Sequence, residues 1–156
     1  MLVEARLVRE DPAGLIQRVL EVARSSATES EVGAMALFLG LVKGSVDGRE
    51  VLSLDYDAYE EVAEGVLRSI AEETAKRHGL EAIFIYHRVG SLAPGEPTLL
   101  VAAVGRSRED VLGAVSEALE RVKREAPIFK LERREDGDYW VLRDDVRVRR
   151  AGTSPS

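Results

Sequence analysis

The chain of 156 residues contains no cysteine, and aromatic residues make up only 5% of it. Without cysteine the chain can form no disulfide bond, thiolate nucleophile, cysteine-ligated zinc site or iron–sulfur cluster. Its two histidines, His78 and His87, do not have the spacing of a metal-binding pair, and no glycine-rich phosphate motif ending in Gly-Lys is present. We therefore expect no metal and no bound cofactor.

Long apolar runs and a basic charge balance are also missing. No run approaches the roughly 20 apolar residues that cross a membrane, and the charged N-terminal segment does not have the pattern of a signal peptide. We therefore expect a cytoplasmic protein without membrane contact. The formal net charge of −6 disfavours nonspecific nucleic-acid binding. The length indicates one domain over residues 1–150, followed by a disordered tail at 151–156.

Hydrophobic periodicity predicts helices and strands that alternate along the chain, with no internal repeat. Helices are expected to begin at Asp11–Pro12, where aspartate caps and proline opens a helix, and to span 59–78 and 108–125. Residues 25–30, 41–49 and 87–95 are expected to be loops. Strands are expected at 2–8, 33–40, 51–56, 82–86, 98–104, 129–134 and 139–142, the last two joined by an Asp136–Gly137 turn. This pattern indicates an α+β fold, with an antiparallel sheet that carries helices on one side.

Two lysines flank a forced reversal of the chain. Lys123 lies in the last turn of the helix predicted at 108–125, and Lys130 lies in the following strand. Pro127 stops the helix between them, because proline has no N–H and disfavours helical geometry in the preceding residue. Both ammonium groups could then face one pocket, hold an anion and supply a base. Spacing alone, however, favours two solvated surface lysines.

Two further residues, Arg108 and Lys43, are candidates for the same anion site, and His87 is a candidate functional residue where a strand enters a loop. Arg108 opens a helix directly after a strand, where free N–H groups attract anions, although it could equally pair with Glu109 or Asp110. Lys43 lies in the glycine-containing loop 41–49. For His87, a hydrogen bond to the backbone that orders its loop is the preferred interpretation.

Five segments, in register along the chain, together resemble the large subunit of molybdopterin synthase. They are 33–43 (GAMALFLGLVK), 54–59 (LDYDAY), 85–96 (IYHRVGSLAPGE), 122–132 (VKREAPIFKLE) and 137–140 (GDYW). No single segment is decisive, but five in order are specific.

The resemblance implies a fold, a reaction and partners. The fold would be an α/β hammerhead with an extra small antiparallel subdomain. The reaction would transfer sulfur to a cyclic pyranopterin phosphate in two rounds, and so form the dithiolene that later binds molybdenum. The sulfur would come from the C-terminal thiocarboxylate of a small ubiquitin-like subunit, one of which would dock on each large subunit of a homodimer, giving a heterotetramer.

Site residues follow from the resemblance position by position. Lys123 and Lys130 match the two functional lysines of the family. The substrate-binding set would be Leu41, Val42, Lys43, Ser107, Arg108, Lys123, Lys130, Leu131 and Glu132. The family usually has arginine at position 43 and histidine at 107, so Lys43 loses a bidentate fork and Ser107 cannot carry charge.

Two other functions stay open from the sequence. The first is a noncatalytic module that binds a small anionic ligand in the same basic pocket. The second is a nucleic-acid-binding hairpin at 129–150, built on Arg133, Arg134, Arg143, Arg147, Arg149 and Arg150.

Overall fold

A computed structural model of the chain describes residues 1–142 and 146–151. Within these residues the chain forms three α-helices, a 3₁₀ turn and ten strands. The helical segments are the 3₁₀ turn Pro12–Leu15, α1 Ile16–Glu29, α2 Glu60–His78 and α3 Arg108–Glu125. The strands are β1 Leu2–Val8, β2 Ala34–Leu41, β3 Ser45–Val46, β4 Arg49–Ala58, β5 Ala82–Arg88, β6 Gly90–Leu92, β7 Pro97–Gly105, β8 Ile128–Arg134, β9 Gly137–Val141 and β10 Arg147–Arg149.

The first sheet has the strand order β1-β5-β7-β2. β1 runs parallel to β5, whereas β7 is antiparallel to both β5 and β2. All nine residues of β7 are buried, and so are the first six of β5. A strand buried on both faces needs cover on both faces, which accounts for the continuous apolar runs in these two strands.

Helices cover both faces of this sheet, so the expectation of helices on one side is wrong. α2 and α3 pack against the face that carries Ile83 and Val101. α1 packs Val19 and Ala23 against the opposite face, which carries Phe84. The α+β class itself is confirmed.

α1 also extends further than the sequence pattern predicted. Residues 25–30 were expected to be a polar loop, but the helix continues to Glu29. The hydroxyls of Thr28 and Ser30 donate to the carbonyls of Ser25 and Ser26, each at 2.7 Å. The Thr28 hydroxyl thus bonds back to the preceding turn while Thr28 stays helical and faces solvent, and Ser30, which is extended, ends the helix.

The second sheet has the order β10-β9-β8-β4-β3, and β6 pairs with β4 on the edge opposite β8. The segment 41–49, expected to be a loop, contains the short β3–β4 hairpin. Its turn residues Asp47 and Gly48 have φ values of 52° and 74°, as a two-residue hairpin turn requires. Likewise β6 lies inside the expected loop 87–95. The Asp136–Gly137 hairpin is confirmed by the pairing of β8 with β9.

The helix ends follow the predicted chemistry. Asp11 caps the 3₁₀ turn by accepting from the Ala13 N–H at 2.8 Å. Gly79 ends α2 in the left-handed conformation. α3 ends at Glu125, Ala126 is extended, and β8 begins directly after Pro127. The predicted reversal between Lys123 and Lys130 is therefore present. The expected disordered tail, 151–156, lies outside the described residues except for Ala151.

Candidate functional site

A cavity of about 1010 Å³ lies where the two sheets meet the C-terminal end of α3. One wall comes from the end of β2 and the start of β7, another from the last turns of α3. The second sheet supplies the rest through β4, β8, β9 and β10. Much of the lining is apolar, from Val51, Leu54, Leu99, Leu119, Val122, Ala126, Ile128, Phe129 and Trp140 among others.

Cationic side chains dominate the charged part of the lining. Lys43, Lys123, Lys130 and Arg147 all line the cavity, and within the described ranges the one carboxylate beside them belongs to Glu132. Lys123 is brought in by the last turn of α3 and Lys130 by β8, on either side of the reversal at Pro127. The cavity therefore carries a net positive charge, which suits an anionic ligand.

Leu41 and Val42 line the same cavity, but Leu131 does not. Side chains alternate between the two faces of a strand, so Lys130 and Glu132 face the cavity from β8 while Leu131 faces away. The Leu131 side chain is buried on the opposite face of the strand and is only 5% exposed. Its predicted contact with substrate is not supported by this placement.

Ser107 and Arg108 lie at the opposite end of α3. Fifteen residues separate Arg108 from Lys123, which corresponds to about 22 Å along a helix axis. The Ser107 hydroxyl caps α3 by accepting from the Asp110 N–H at 3.2 Å. Arg108 is exposed and, in the described part of the chain, forms no ion pair with Glu109 or Asp110. A single chain therefore does not bring Ser107 and Arg108 into the cavity.

Glu132 is a buried carboxylate with both oxygens engaged. Arg147 of β10 donates from Nε to one oxygen at 2.8 Å and from Nη2 to the other at 3.2 Å. The Glu132 side chain is 4% exposed and that of Arg147 16% exposed. Such a bidentate pair ties β10 to β8 across the cavity wall. The Glu132 carboxylate is therefore bound to Arg147 and is not positioned to bind a ligand.

His87 was expected to bond to the backbone, and it does: its Nδ1 lies 2.8 Å from the Arg88 carbonyl oxygen. That nitrogen must then donate, which leaves Nε2 as the acceptor. Burial lowers the pKa of His87 to about 4, and the charge of Lys130 adds to this shift, although the backbone hydrogen bond opposes it. His87 is therefore neutral near pH 7.

Sequence reasoning missed that His87 also lines the cavity, together with Tyr56 and Thr98. The Tyr56 ring meets the imidazole edge-on, with 5.0 Å between the ring centres. Burial raises the pKa of Tyr56 to about 12. The signal for Tyr56 was the period-two pattern of β4, on which Leu54 and Tyr56 share a face. Nothing in the local sequence placed His87 or Thr98 beside that face.

The arginines of the 129–150 hairpin do not form an open basic patch in the described residues. Arg133 contacts Asp55 at 2.5 Å and Asp138 at 3.0 Å. Arg134 pairs with Asp136 at 2.9 Å and stacks on the Tyr139 ring at 3.8 Å. Arg147 pairs with Glu132, Arg149 donates to the Asp136 carbonyl, and Arg150 lies 4.0 Å from Asp138. Arg143 lies outside the described residues. The hypothesis of a nucleic-acid-binding hairpin therefore loses its main support.

The described residues contain neither a membrane-spanning helix nor a cluster of metal ligands. No helix among residues 1–142 and 146–151 is long and apolar enough to cross a membrane. In the same ranges no cluster of three histidine, aspartate or glutamate side chains could hold a metal ion.

Two proteins are similar to this chain in sequence over most of its length. The chain is 32% identical over 125 residues to the molybdopterin synthase catalytic subunit of Pyrococcus abyssi, an alignment that covers 80% of the chain and 84% of the relative. It is also 32% identical over 139 residues to a probable molybdopterin synthase of Haloferax volcanii, which covers 88% of the chain. The chain spans about half the length of that Haloferax protein, 53%.

A solved structure agrees with these relatives. The crystal structure of molybdopterin synthase from Staphylococcus aureus superposes with a TM-score of 0.77 at 29% identity, and the match covers 87% of this chain and 95% of that one. Residues 15–125 match the family model described as MoaE protein. This range holds α1 to α3 and the strands β2 to β7. The resemblance carried by the five segments is confirmed, and the chain belongs to the MoaE protein family.

Proposed function

We propose that this chain is the catalytic subunit of a molybdopterin synthase, an enzyme that transfers sulfur to a cyclic pyranopterin phosphate. The observation that carries the proposal is the cationic cavity into which α3 and β8 bring Lys123 and Lys130. Relatives from Pyrococcus abyssi and Staphylococcus aureus with the names given above support the same reaction.

The cavity suits a phosphorylated, planar substrate. Its cations supply the charge that a phosphate group requires, and its apolar wall, which includes Val122, Ile128 and Trp140, suits a flat heterocycle. We assign anion binding to Lys43, Lys123 and Lys130. Lys43 stands where the family usually has an arginine. A lysine keeps the positive charge but cannot donate the two parallel hydrogen bonds of a guanidinium group.

Sulfur has to reach this cavity from another molecule, because the chain has no cysteine to carry it. The proposed donor is the C-terminal thiocarboxylate of a small ubiquitin-like subunit. A thin C-terminal tail could enter the cavity where a folded domain could not. The thiocarboxylate sulfur forms a bond to a side-chain carbon of the pterin, and the oxygen substituent of that carbon leaves with a proton. Water then adds to the carbonyl carbon of the resulting thioester, the bond between that carbon and sulfur breaks, and the donor leaves as a carboxylate while the sulfur stays on the pterin as a thiolate.

The two lysines at the reversal are the proposed catalytic groups. A lysine side chain can bind an anion when it is charged and can act as a general base when it is neutral. We assign two roles, general base and anion ligand, to Lys123 and Lys130 as a pair. The assembly is proposed to be a homodimer of this chain with one small subunit on each copy, located in the cytoplasm.

Reconstitution tests the proposal. Wild-type protein, a thiocarboxylated small subunit and cyclic pyranopterin monophosphate are mixed, and molybdopterin is measured. We expect product from wild type and a loss of at least about 100-fold with Lys123→Ala or Lys130→Ala, the size typical of a lost acid–base group. Lys76→Ala is the matched control, because Lys76 is exposed on α2 and does not line the cavity.

The outcomes separate the two functions that share this cavity. Normal turnover by folded Lys123→Ala and Lys130→Ala would refute the catalytic assignment. Binding of the pterin phosphate by wild type, without turnover beside a proven donor, would favour the noncatalytic ligand-binding module. Light scattering that gives a monomer mass would contradict the homodimer.

A further inference from the structure

The segment 85–96 contains two charged residues that the proposed reaction does not use, Arg88 and Glu96. Arg88 ends β5, and its side chain is 13% exposed. Its Nη1 donates to Glu96 Oε1 at 3.1 Å, and its Nε donates to the Arg9 carbonyl at 3.3 Å. Arg88 thus links the residues after β1 to the turn before β7.

Glu96 uses its second oxygen to close that turn. Glu96 Oε2 accepts from the Ala93 N–H at 2.6 Å, and the Glu96 N–H donates to the Ala93 carbonyl at 3.1 Å. The hydrogen bond from Ala93, helped by Arg88, holds the pKa of Glu96 below its usual value. The carboxylate is therefore charged near pH 7, and it binds Arg88 and the turn at the same time.

The same turn is bonded to the segment that carries Lys43. The Val42 N–H donates to the Glu96 carbonyl at 3.0 Å, and the Gly95 N–H donates to the Val42 carbonyl at 2.8 Å. The β2–β7 ladder shifts register between Gly40 and Leu41, and Pro97 has no N–H to donate. Past this irregularity, the two bonds to Gly95 and Glu96 are what keep the chain beside β7.

We propose that Arg88 and Glu96 are positioning residues, which fix the 93–96 turn and through it the placement of Lys43 at the cavity wall. Neither residue lines the cavity, so neither touches the ligand. Their effect passes through Val42, which is 4% exposed and directly precedes Lys43. The use of Lys43 as an anion ligand rests on the proposed function, whereas the fixing of the turn does not.

Glu96→Gln is the test variant, because it removes the charge but keeps the shape and one acceptor oxygen. Glu72→Gln is the matched control: Glu72 pairs with Arg68 at 3.0 Å on α2, and its side chain is 43% exposed against 39% for Glu96. The first measurement is hydrogen exchange at the Val42 and Gly95 amides. We expect exchange about fivefold faster in Glu96→Gln than in wild type, the factor that a weakened hydrogen-bonded ion pair gives, and no change in Glu72→Gln.

The second measurement is direct binding of cyclic pyranopterin monophosphate. We expect Glu96→Gln to raise the dissociation constant about fivefold and Arg88→Lys to raise it in the same direction. Glu96→Gln should add nothing in a Lys43→Ala background, because residues that act through one another are not additive. A merely structural role would weaken both backgrounds equally.

The results separate this inference from the proposed function. If Val42 and Gly95 exchange no faster in Glu96→Gln than in Glu72→Gln, the turn is not held by the ion pair and the inference is wrong. Faster exchange with unchanged or fully additive binding would also overturn it, since Lys43 would then not be the residue positioned. If wild type binds no pterin phosphate, the proposed function fails, and exchange alone decides whether Arg88 and Glu96 hold the turn.

Discussion

Breaking the ion pair between Glu132 and Arg147 should destabilise the fold much more than breaking an ion pair on the surface. Glu132→Gln keeps the size of the side chain but removes the charge that opposes Arg147. Removal of one partner from a buried pair costs about 3–5 kcal/mol, because the remaining charge loses the partner that offset its burial. The 16% exposure of Arg147 toward the cavity admits some water, so we expect a loss of about 2–3 kcal/mol.

This loss can be measured by urea denaturation and by thermal unfolding. For a domain of this size, 2–3 kcal/mol corresponds to a fall in Tm of about 4–12 °C. Glu31→Gln is the control, since Glu31 and Arg106 lie 3.4 Å apart with side chains 83% and 68% exposed. An exposed pair of this kind contributes about 0–0.5 kcal/mol.

A double variant separates the cost of an unpaired charge from the value of the pair. Glu132→Leu with Arg147→Met removes both charges and leaves apolar groups of comparable size, so it should cost less than Glu132→Gln alone. Stability of Glu132→Gln equal to that of Glu31→Gln would refute the reasoning. Unchanged stability with a raised KM for the pterin phosphate would instead restore Glu132 to the role of substrate ligand.

Two further predictions concern His87 and the start of α3. His87 has a folded pKa of about 4 against about 6.5 unfolded, so below pH 6.5 the unfolded chain binds a proton that the folded chain does not. Stability should therefore fall by about 2 kcal/mol between pH 7 and pH 5, and a His87→Gln variant followed by urea denaturation should lack that part of the slope. Ser107→Ala should lose about 1 kcal/mol with its N-cap, whereas Ser107→Asp should keep stability near that of wild type; equal stability of all three proteins would contradict capping.

The sequence predicted best those elements whose signals are local. α3 was predicted with its observed bounds, because its apolar residues recur at helical spacing and Pro127 stops the helix. The predicted end of α1 was wrong. Thr28 and Ser30 are polar residues typical of a loop, and only the formed helix supplies the carbonyl groups to which their hydroxyls donate. The prediction that all helices lie on one side of the sheet was also wrong. Long-range packing, and not periodicity alone, determines the face on which α1 packs.

The candidate site divides in the same way. Lys123 and Lys130 were predicted from a local reversal, and the structure places both at one cavity. Arg147 could not be predicted from spacing, because its place follows from the β9–β10 pairing and from a buried partner fifteen residues earlier. Ser107 and Arg108 were grouped with the lysines by resemblance, and the length of α3 keeps them apart within one chain.

Neutral groups matter in this cavity as much as its charges. Had His87 been protonated, a second positive charge would stand near Lys130 and would oppose binding of a proton by that lysine. Burial instead keeps His87 neutral, and the hydrogen bond to the Arg88 carbonyl turns its donor toward the backbone. The electrostatic field on an anionic ligand is therefore set by the lysines and by the Glu132–Arg147 pair. Within physiological pH, neither His87 nor Tyr56 changes that field, because the pKa of His87 is lowered to about 4 and that of Tyr56 is raised to about 12.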